Sequence, residues 1–349
     1  MSRLVKGANQ SIFRHLDNFC AARGVLLSNA SAPRWIASQN KHRYTMRSSV
    51  VRTSVALSTV RKLARIELGP KVFICTVGFD NPSPLSGAVE VTVDAAFLTV
   101  VLAELAPRPR ATPSEIRNIV EAGDLVADEK YNGHDPDLIA SLFPTIRVFE
   151  TPALSEDETL KAFFGVCVEE CEFSESWIES DLARTLRLIG ELDPNKIPYR
   201  VLCRSIFDSD PTSFFLALYR CLEALYAFSG ARQLIDSLGM TAPWANVAAA
   251  LETELGWYPR EENSLTQLLG MAAIQDLRSI SVLLGDTNDG AESDNIRNVA
   301  ARRIYRLRNS IVHFRPVHST MVFDGIDWNK TCELMSNIVM YVYSEVFET

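Results

Sequence analysis

The 349-residue chain has no apolar run approaching the ~20 residues that a membrane-spanning helix requires, so no membrane partner is expected. Arg3 and Lys6 are not followed by an apolar stretch, so no secretory signal is expected either. There is no G-x-G-x-x-G, no phosphate-binding P-loop, no internal repeat and no low-complexity tract, which sets aside the common nucleotide-cofactor and solenoid readings. The seven cysteines are odd in number and scattered, several within apolar runs, which is the usage of a reduced cytoplasmic protein rather than of a disulfide framework. Cys167 and Cys171 would share a helix face, but no second Cys or His pair lies near them in sequence, so neither a metal site nor a cofactor is expected. Of the five histidines, His15, His42, His134 and His318 fall into no recognisable catalytic spacing.

A hydrophobic content of 47% with 22% charged residues describes an ordinary globular chain, and its length suits two domains. Charge is spread unevenly. Residues 1–72 carry 13 Lys/Arg against only Asp17 and Glu67, whereas residues 73–193 carry 8 basic and 23 acidic side chains. The basic segment could touch nucleic-acid phosphates or dock on the acidic segment. Its few aromatics, Phe13, Phe19, Trp35 and Tyr44, argue against base stacking. Lys41, Arg43 and Arg47 are expected to serve the internal docking.

The pattern predicts an α+β arrangement: a mixed N-terminal domain over residues 1–195, of unassigned sensor, regulatory or partner-docking role, followed by an all-helical bundle over residues 196–349. In the first part, helices are expected over 10–23, 48–67, 113–122, 155–172 and 174–189. Strands are expected over 72–79, 88–93 and 145–150, and residues 95–105 read as strand or buried helix. Leu192-Asp193-Pro194-Asn195 and Ile197-Pro198 mark the boundary. Beyond it, helices are expected over 211–228, 242–255, 264–284, 295–314 and 328–347, an order suited to a helical bundle.

The helix expected over 295–314 holds the most informative stretch, Arg308-Asn309-Ser310-Ile311-Val312-His313. Ala300, Ile304, Leu307, Ile311 and Phe314 follow helical spacing and form one apolar stripe. Arg302, Arg306, Asn309 and His313 form a polar stripe on roughly the opposite side, with Arg308 between the two. Pro316 stops the helix, so His313 sits in its last turn, where the helix dipole favours the protonated imidazole. Read plainly, this is a solvated basic face. Read chemically, guanidinium and amide groups on one stripe suit a phosphate. Glu223 lies within Leu222 to Tyr226, where an unpaired carboxylate is costly. It serves either as the ion-pair partner of an arginine on the later helix or as a participant in proton transfer.

These residues carry a resemblance. Arg308 to His313, late in a helical bundle, together with Tyr219-Arg220-Cys221-Leu222-Glu223-Ala224-Leu225-Tyr226 in an early helix, resembles the HEPN domain superfamily, and within it the Apea-type abortive-infection proteins. The likeness covers the C-terminal ~150 residues. It implies a metal-independent endoribonuclease acting in a toxin or anti-phage defence system. The RNA 2′-OH would attack the adjacent phosphorus, leaving a 2′,3′-cyclic phosphate and a 5′-OH. It implies His313 as proton carrier, Arg308 as the charge on the phosphorane oxygens and Asn309 as the group orienting imidazole or phosphate, with Glu223, Arg306 and Arg302 in support. One motif per chain implies a homodimer with a composite cleft, RNA as substrate, and a cognate defence-system protein or antitoxin as a further partner. The alternatives are a non-catalytic HEPN interaction module and a helical regulator that binds an anion or nucleotide.

Overall fold

A computed structural model describes residues 4–28, 33–80, 82, 87–122, 131–174, 176–193, 195–285, 295–312 and 325–348. The chain is mixed α/β with one five-stranded antiparallel sheet. It forms two compact units, Met1–Phe173 and Ser174–Thr349. This division lies upstream of the 195/196 boundary read from the proline-containing turns. The helix Ser180–Ile189, which precedes those turns, packs on the final helix Trp328–Glu348 and so belongs to the C-terminal unit.

The N-terminal unit runs α1 (Val5–Ala21), α2 (His42–Ser48), β1 (Val50–Ala56), β2 (Lys62–Leu68), β3 (Lys71–Val77), β4 (Val89–Val91), α3 (Ala95–Leu105), α4 (Pro113–Ala122), α5 (Pro136–Ser141), β5 (Ile146–Thr151) and α6 (Glu156–Phe173). The sheet order is β1-β2-β3-β5-β4. The helix expected over 48–67 is replaced by the β1–β2 hairpin. Val51, Val55, Val60 and Leu63 fit a helical spacing, but the segment is rich in β-branched residues, which favour pleated pairing. Ser58 Oγ accepts from the backbone N–H groups of Val60 and Arg61 and fixes the turn. Gly78, at φ +76°, lets the end of β3 pass that turn: a Cβ there would lie 2.4 Å from the Val60 carbonyl oxygen.

Residues 95–105 are a buried helix. Asp94 caps α3 by accepting from the N–H groups of Ala96 and Phe97 at 2.9 and 3.0 Å. One side of α3, with Phe97, Val100, Val101 and Leu105, packs on Phe73, Cys75 and Val77 of the sheet. The other side, with Ala95, Leu98 and Leu102, packs on Ile12, Phe13 and Leu16 of α1 and on Ile116 of α4. A helix covered on two sides needs apolar residues all round, which erases the period from which helix and strand are told apart. Thr112 and Glu115 form a reciprocal capping box at the start of α4.

Several cations of the first 72 residues pair with the acidic stretch that follows, Arg61 with Glu170 at 3.0 Å and Lys71 with Glu150 at 2.9 Å. Lys41, Arg43 and Arg47 are exposed instead, and their side chains have no ion pair among the described residues. Among the described residues, the pairing with the acidic stretch is made by other cations further along the chain.

The elements of the C-terminal unit among its described residues are all helices: α7 (Ser180–Ile189), α8 (Tyr199–Ile206), α9 (Pro211–Glu223), α10 (Phe228–Leu238), α11 (Trp244–Leu255), α12 (Glu261–Leu268), α13 (Ile274–Leu283), α14 (Ile296–Val312) and α15 (Trp328–Glu348). Helix α9 packs on α8, α12, α14 and α15, and buries Phe214, Phe215, Leu218, Tyr219 and Leu222. Each such fully buried apolar side chain contributes ~1.5–3 kcal/mol. Two long helices expected from the sequence are broken. The chain leaves α9 through backbone bonds from Leu225 to Leu222 and from Tyr226 to Glu223, which tighten the turn before α10. The expected helix over 264–284 is interrupted at Leu269 to Ala273, separating α12 from α13.

None of the described helices is long and apolar enough to cross a membrane. All seven cysteines are buried thiols.

Candidate functional site

Helix α14 fixes the site by burying Ile296, Ala300, Ala301, Arg303, Ile304 and Leu307. Ala300, Ile304 and Leu307 are members of the apolar stripe read from the sequence, and Ile311 is half-buried. Arg302 and Arg306 are exposed, whereas Arg308 and Asn309 are half-buried at the edge of the packed face. His313, Phe314 and His318 lie outside the described residues, so the proton-carrying group expected of this helix is not part of the described geometry.

Arg308 reaches across to α9. Its Nη2 donates to Glu223 Oε1 at 3.1 Å, and its Nη1 donates to Asn309 Oδ1 at 2.9 Å. Its Cζ stands 5.6 Å from the centroid of the Tyr219 ring, a cation–π distance. Tyr226 in turn donates to the Tyr219 hydroxyl at 2.7 Å. Residues far apart in sequence thus converge where the end of α9 meets the end of α14. Glu223 takes the ion-pair geometry. Asn309 accepts from the guanidinium beside it.

The electrostatics of this junction are partly acidic. Burial opposes the charge on Arg308, but Glu223, Glu261 at the start of α12, and Tyr219 outweigh it and raise the guanidinium pKa above its ordinary value. Burial is also the main reason that Tyr219 is pushed up to about 12, with Glu223 adding to it. Burial and the bond with Tyr219 push Tyr226 up further. Both phenols are therefore neutral donors near pH 7 and poor bases. One guanidinium faces two carboxylates, so a phosphate approaching Arg308 meets competition for its remaining donors.

Two features of this region escaped the sequence reading. Tyr219 and Tyr226 are seven residues apart, a spacing that keeps side chains on one face even though the chain tightens between them. Arg303 is buried, and its Nη1 donates to the Ser281 carbonyl near the end of α13, where a cation also meets the negative end of the helix dipole. It lies one residue from the exposed Arg302, and periodicity alone would place it with the core. A Cβ on Gly285 would lie 1.9 Å from its Nη1, so glycine at 285 leaves room for the guanidinium.

The other candidates are dispersed. His15 sits 3.0 Å from the Pro107 carbonyl and stacks on Phe143, and His42 lies 3.5 Å from Asp94. His134 is buried, with its backbone bridged to Ile36. Cys167 and Cys171 are buried on α6, and among the described residues no group of three or more His, Cys, Asp and Glu side chains is arranged to hold a metal ion. Comparison of the chain with protein-family models, curated proteins and solved structures gave no match.

Proposed function

We propose that the chain is a HEPN-like, metal-independent endoribonuclease of the toxin or anti-phage-defence kind, acting in the cytoplasm as a homodimer with a composite cleft. The observation that carries this reading is the Arg308–Glu223 pair, which joins the Arg-x4-His helix to the early helix bearing the carboxylate. In this reading Glu223, Asn309 and Tyr219 hold the guanidinium in one orientation. A preorganised cation costs no reorganisation when charge develops on the phosphorane oxygens. His313, five residues on from Arg308 in the sequence, supplies the proton transfer. Arg302 and Arg306, exposed on the same helix, draw in the RNA backbone.

The two carboxylates near Arg308 favour a second reading, a non-catalytic helical module in which this pair only fastens α14 to α9. Incubating RNA with the full-length protein in excess EDTA separates the two. The proposal expects cleavage that survives the chelator, leaves 2′,3′-cyclic phosphate and 5′-OH ends, and disappears in Arg308→Ala and in His313→Ala. Uncut RNA, or cleavage unchanged in both variants, leaves the fastening role alone.

A further inference from the structure

We propose that the C-terminal unit carries a binding site for a linear primary alkylamine, in a cavity that α15 forms with α7 and α13. The cavity has a volume of about 370 Å³ and is lined by Leu188 of α7, Asp276 of α13, and Asn337, Met340, Tyr341 and Ser344 of α15. The four α15 residues follow spacings of three, one and three, which sets them on one face of the helix. The cavity therefore runs along about two turns of α15, ~10 Å from Asn337 to Ser344. Both α7 and α13 pack on α15, so three helices hold the walls before any ligand arrives, which lowers the ordering cost of binding.

Asp276 points to the charge of the ligand. It is half-buried, accepts from the Asn337 side chain, and makes no ion pair among the described residues. Burial, and after it the neighbouring Glu333, push its pKa above the ordinary carboxylate value, while Asn337 and Lys330 act in the opposite direction. Lys330 is itself bonded to both oxygens of Glu333, at 3.0 and 2.9 Å, which leaves Asp276 without a cation of its own. Its place in the first turn of α13 favours the ionised form. A cation seated beside it would offset the cost of holding that charge away from water. The polar wall is also rich in acceptors. The Asn337 amide donates to the carboxylate, which leaves its Oδ1 to accept. An ammonium group, with three N–H donors and no acceptor, is the complement of this end of the cavity.

The remaining residues set the shape of the ligand. Met340 and Tyr341 lie between Asn337 and Ser344 along α15, and Leu188 adds an apolar wall from α7. Tyr341 and Leu188 are 49% and 54% exposed, so the mouth of the cavity is open to water. These side chains suit methylene groups, and the Ser344 hydroxyl offers a neutral donor and acceptor at the far end. None of the lining residues is a cation, which disfavours an anionic ligand. The volume is at the lower end of the ~300–1,000 Å³ typical of ligand pockets, so the ligand is small. The fit is an ammonium at Asp276, a short unbranched chain along α15, and a hydroxyl or similar polar end at Ser344.

Titration calorimetry of the full-length protein tests this with three ligands of one length: 5-amino-1-pentanol, 1,5-pentanediol, in which a hydroxyl replaces the ammonium, and 5-hydroxypentanoate, which carries the opposite charge. Saturable binding of the amino alcohol is expected, with the diol and the hydroxy acid each weaker by about tenfold or more. Asp276→Asn keeps the shape of the side chain and relieves a half-buried charge, and should weaken the amino alcohol by about tenfold or more. Ser344→Ala removes one neutral hydrogen bond and should weaken it about threefold. If Asp276→Asn does not fold, the three ligands on the unmodified protein still carry the test. Absence of saturable amino-alcohol binding, equal binding of the diol or the hydroxy acid, or an unchanged affinity in either folded variant overturns the proposal. No arm of this experiment involves RNA, so its outcome is independent of the ribonuclease reading.

Discussion

Among the described residues, each unit of the molecule contains an arginine held by a carboxylate above an aromatic ring, and the two differ in how far water reaches them. In the N-terminal unit Arg34 pairs with Asp17 at 2.5 Å and stands 5.2 Å from the Phe13 ring, with side-chain exposures of 6% and 20%. In the C-terminal unit Arg308 pairs with Glu223 at 3.1 Å and stands 5.6 Å from the Tyr219 ring, with exposures of 19% and 29%. The same three groups have different consequences. A deeply buried pair is costly to break, because the surviving charge is stranded in a poor solvent. A less deeply buried pair costs less to break, so its guanidinium contributes less to stability. Exposure, more than the identity of the partners, separates an arginine that belongs to the fold from one that can serve a substrate.

The largest effects should therefore fall on opposite readouts. Arg34→Ala is expected to destabilise the protein by up to about 3 kcal/mol, since the guanidinium is buried and the half-buried Asp17 would lose its cation. Arg308→Ala should cost about 1 kcal/mol of stability, yet lower RNA cleavage about 100- to 1,000-fold if its charge meets the phosphorane. Urea unfolding of both variants beside a cleavage assay checks the contrast. If Arg308→Ala unfolds the protein as strongly as Arg34→Ala does, the two sites are alike and the C-terminal pair is a fastening.

A smaller effect tests what Glu223 does. Glu223→Gln keeps an acceptor for Arg308 but removes the charge. A positioning role predicts a loss of cleavage below about tenfold, with the pH–rate profile unmoved, whereas Glu223→Ala loses more. If Glu223 transfers a proton, Gln should be as inactive as Ala and one limb of the profile should vanish.

Much of this was legible in the sequence, and the failures have physical causes. β3 and β5 announce themselves through β-branched runs, and α14 with its apolar stripe through a clear period. Residues 48–67 fit both a helix and a hairpin, and Ser58, a turn former between apolar residues, was the signal that should have decided for the hairpin. The continuous helices expected over 211–228 and 264–284 follow apolar periodicity that persists across their breaks, because the turns are themselves buried. Glu223 could be singled out as a carboxylate in apolar surroundings, but the choice of Arg308 over Arg302, Arg303 or Arg306 as its partner depends on the angle at which α14 meets α9, which no local pattern encodes. The cavity beside Asp276 has no sequence signature, since its walls come from three helices, α7, α13 and α15.

Lys41, Arg43 and Arg47 extend the comparison to cations that have neither a carboxylate nor a ring. They stand on or beside the short helix α2, are exposed, and make no side-chain ion pair among the described residues. Neutralising all three should leave the melting temperature within about 1 °C, because surface changes away from packed features are worth less than about 0.5 kcal/mol. With no partner of their own they are available to phosphates, and the slope of log affinity against log salt for RNA should fall by about two to three units. Tyr44 is the one aromatic in this helix, which makes the contact one of charge and therefore blind to base sequence. A lowered melting temperature with an unchanged slope would mean that these cations do support the fold. An unchanged slope with an unchanged melting temperature would mean that RNA does not approach this face, and would leave the paired arginines as the only cations of the comparison with a role.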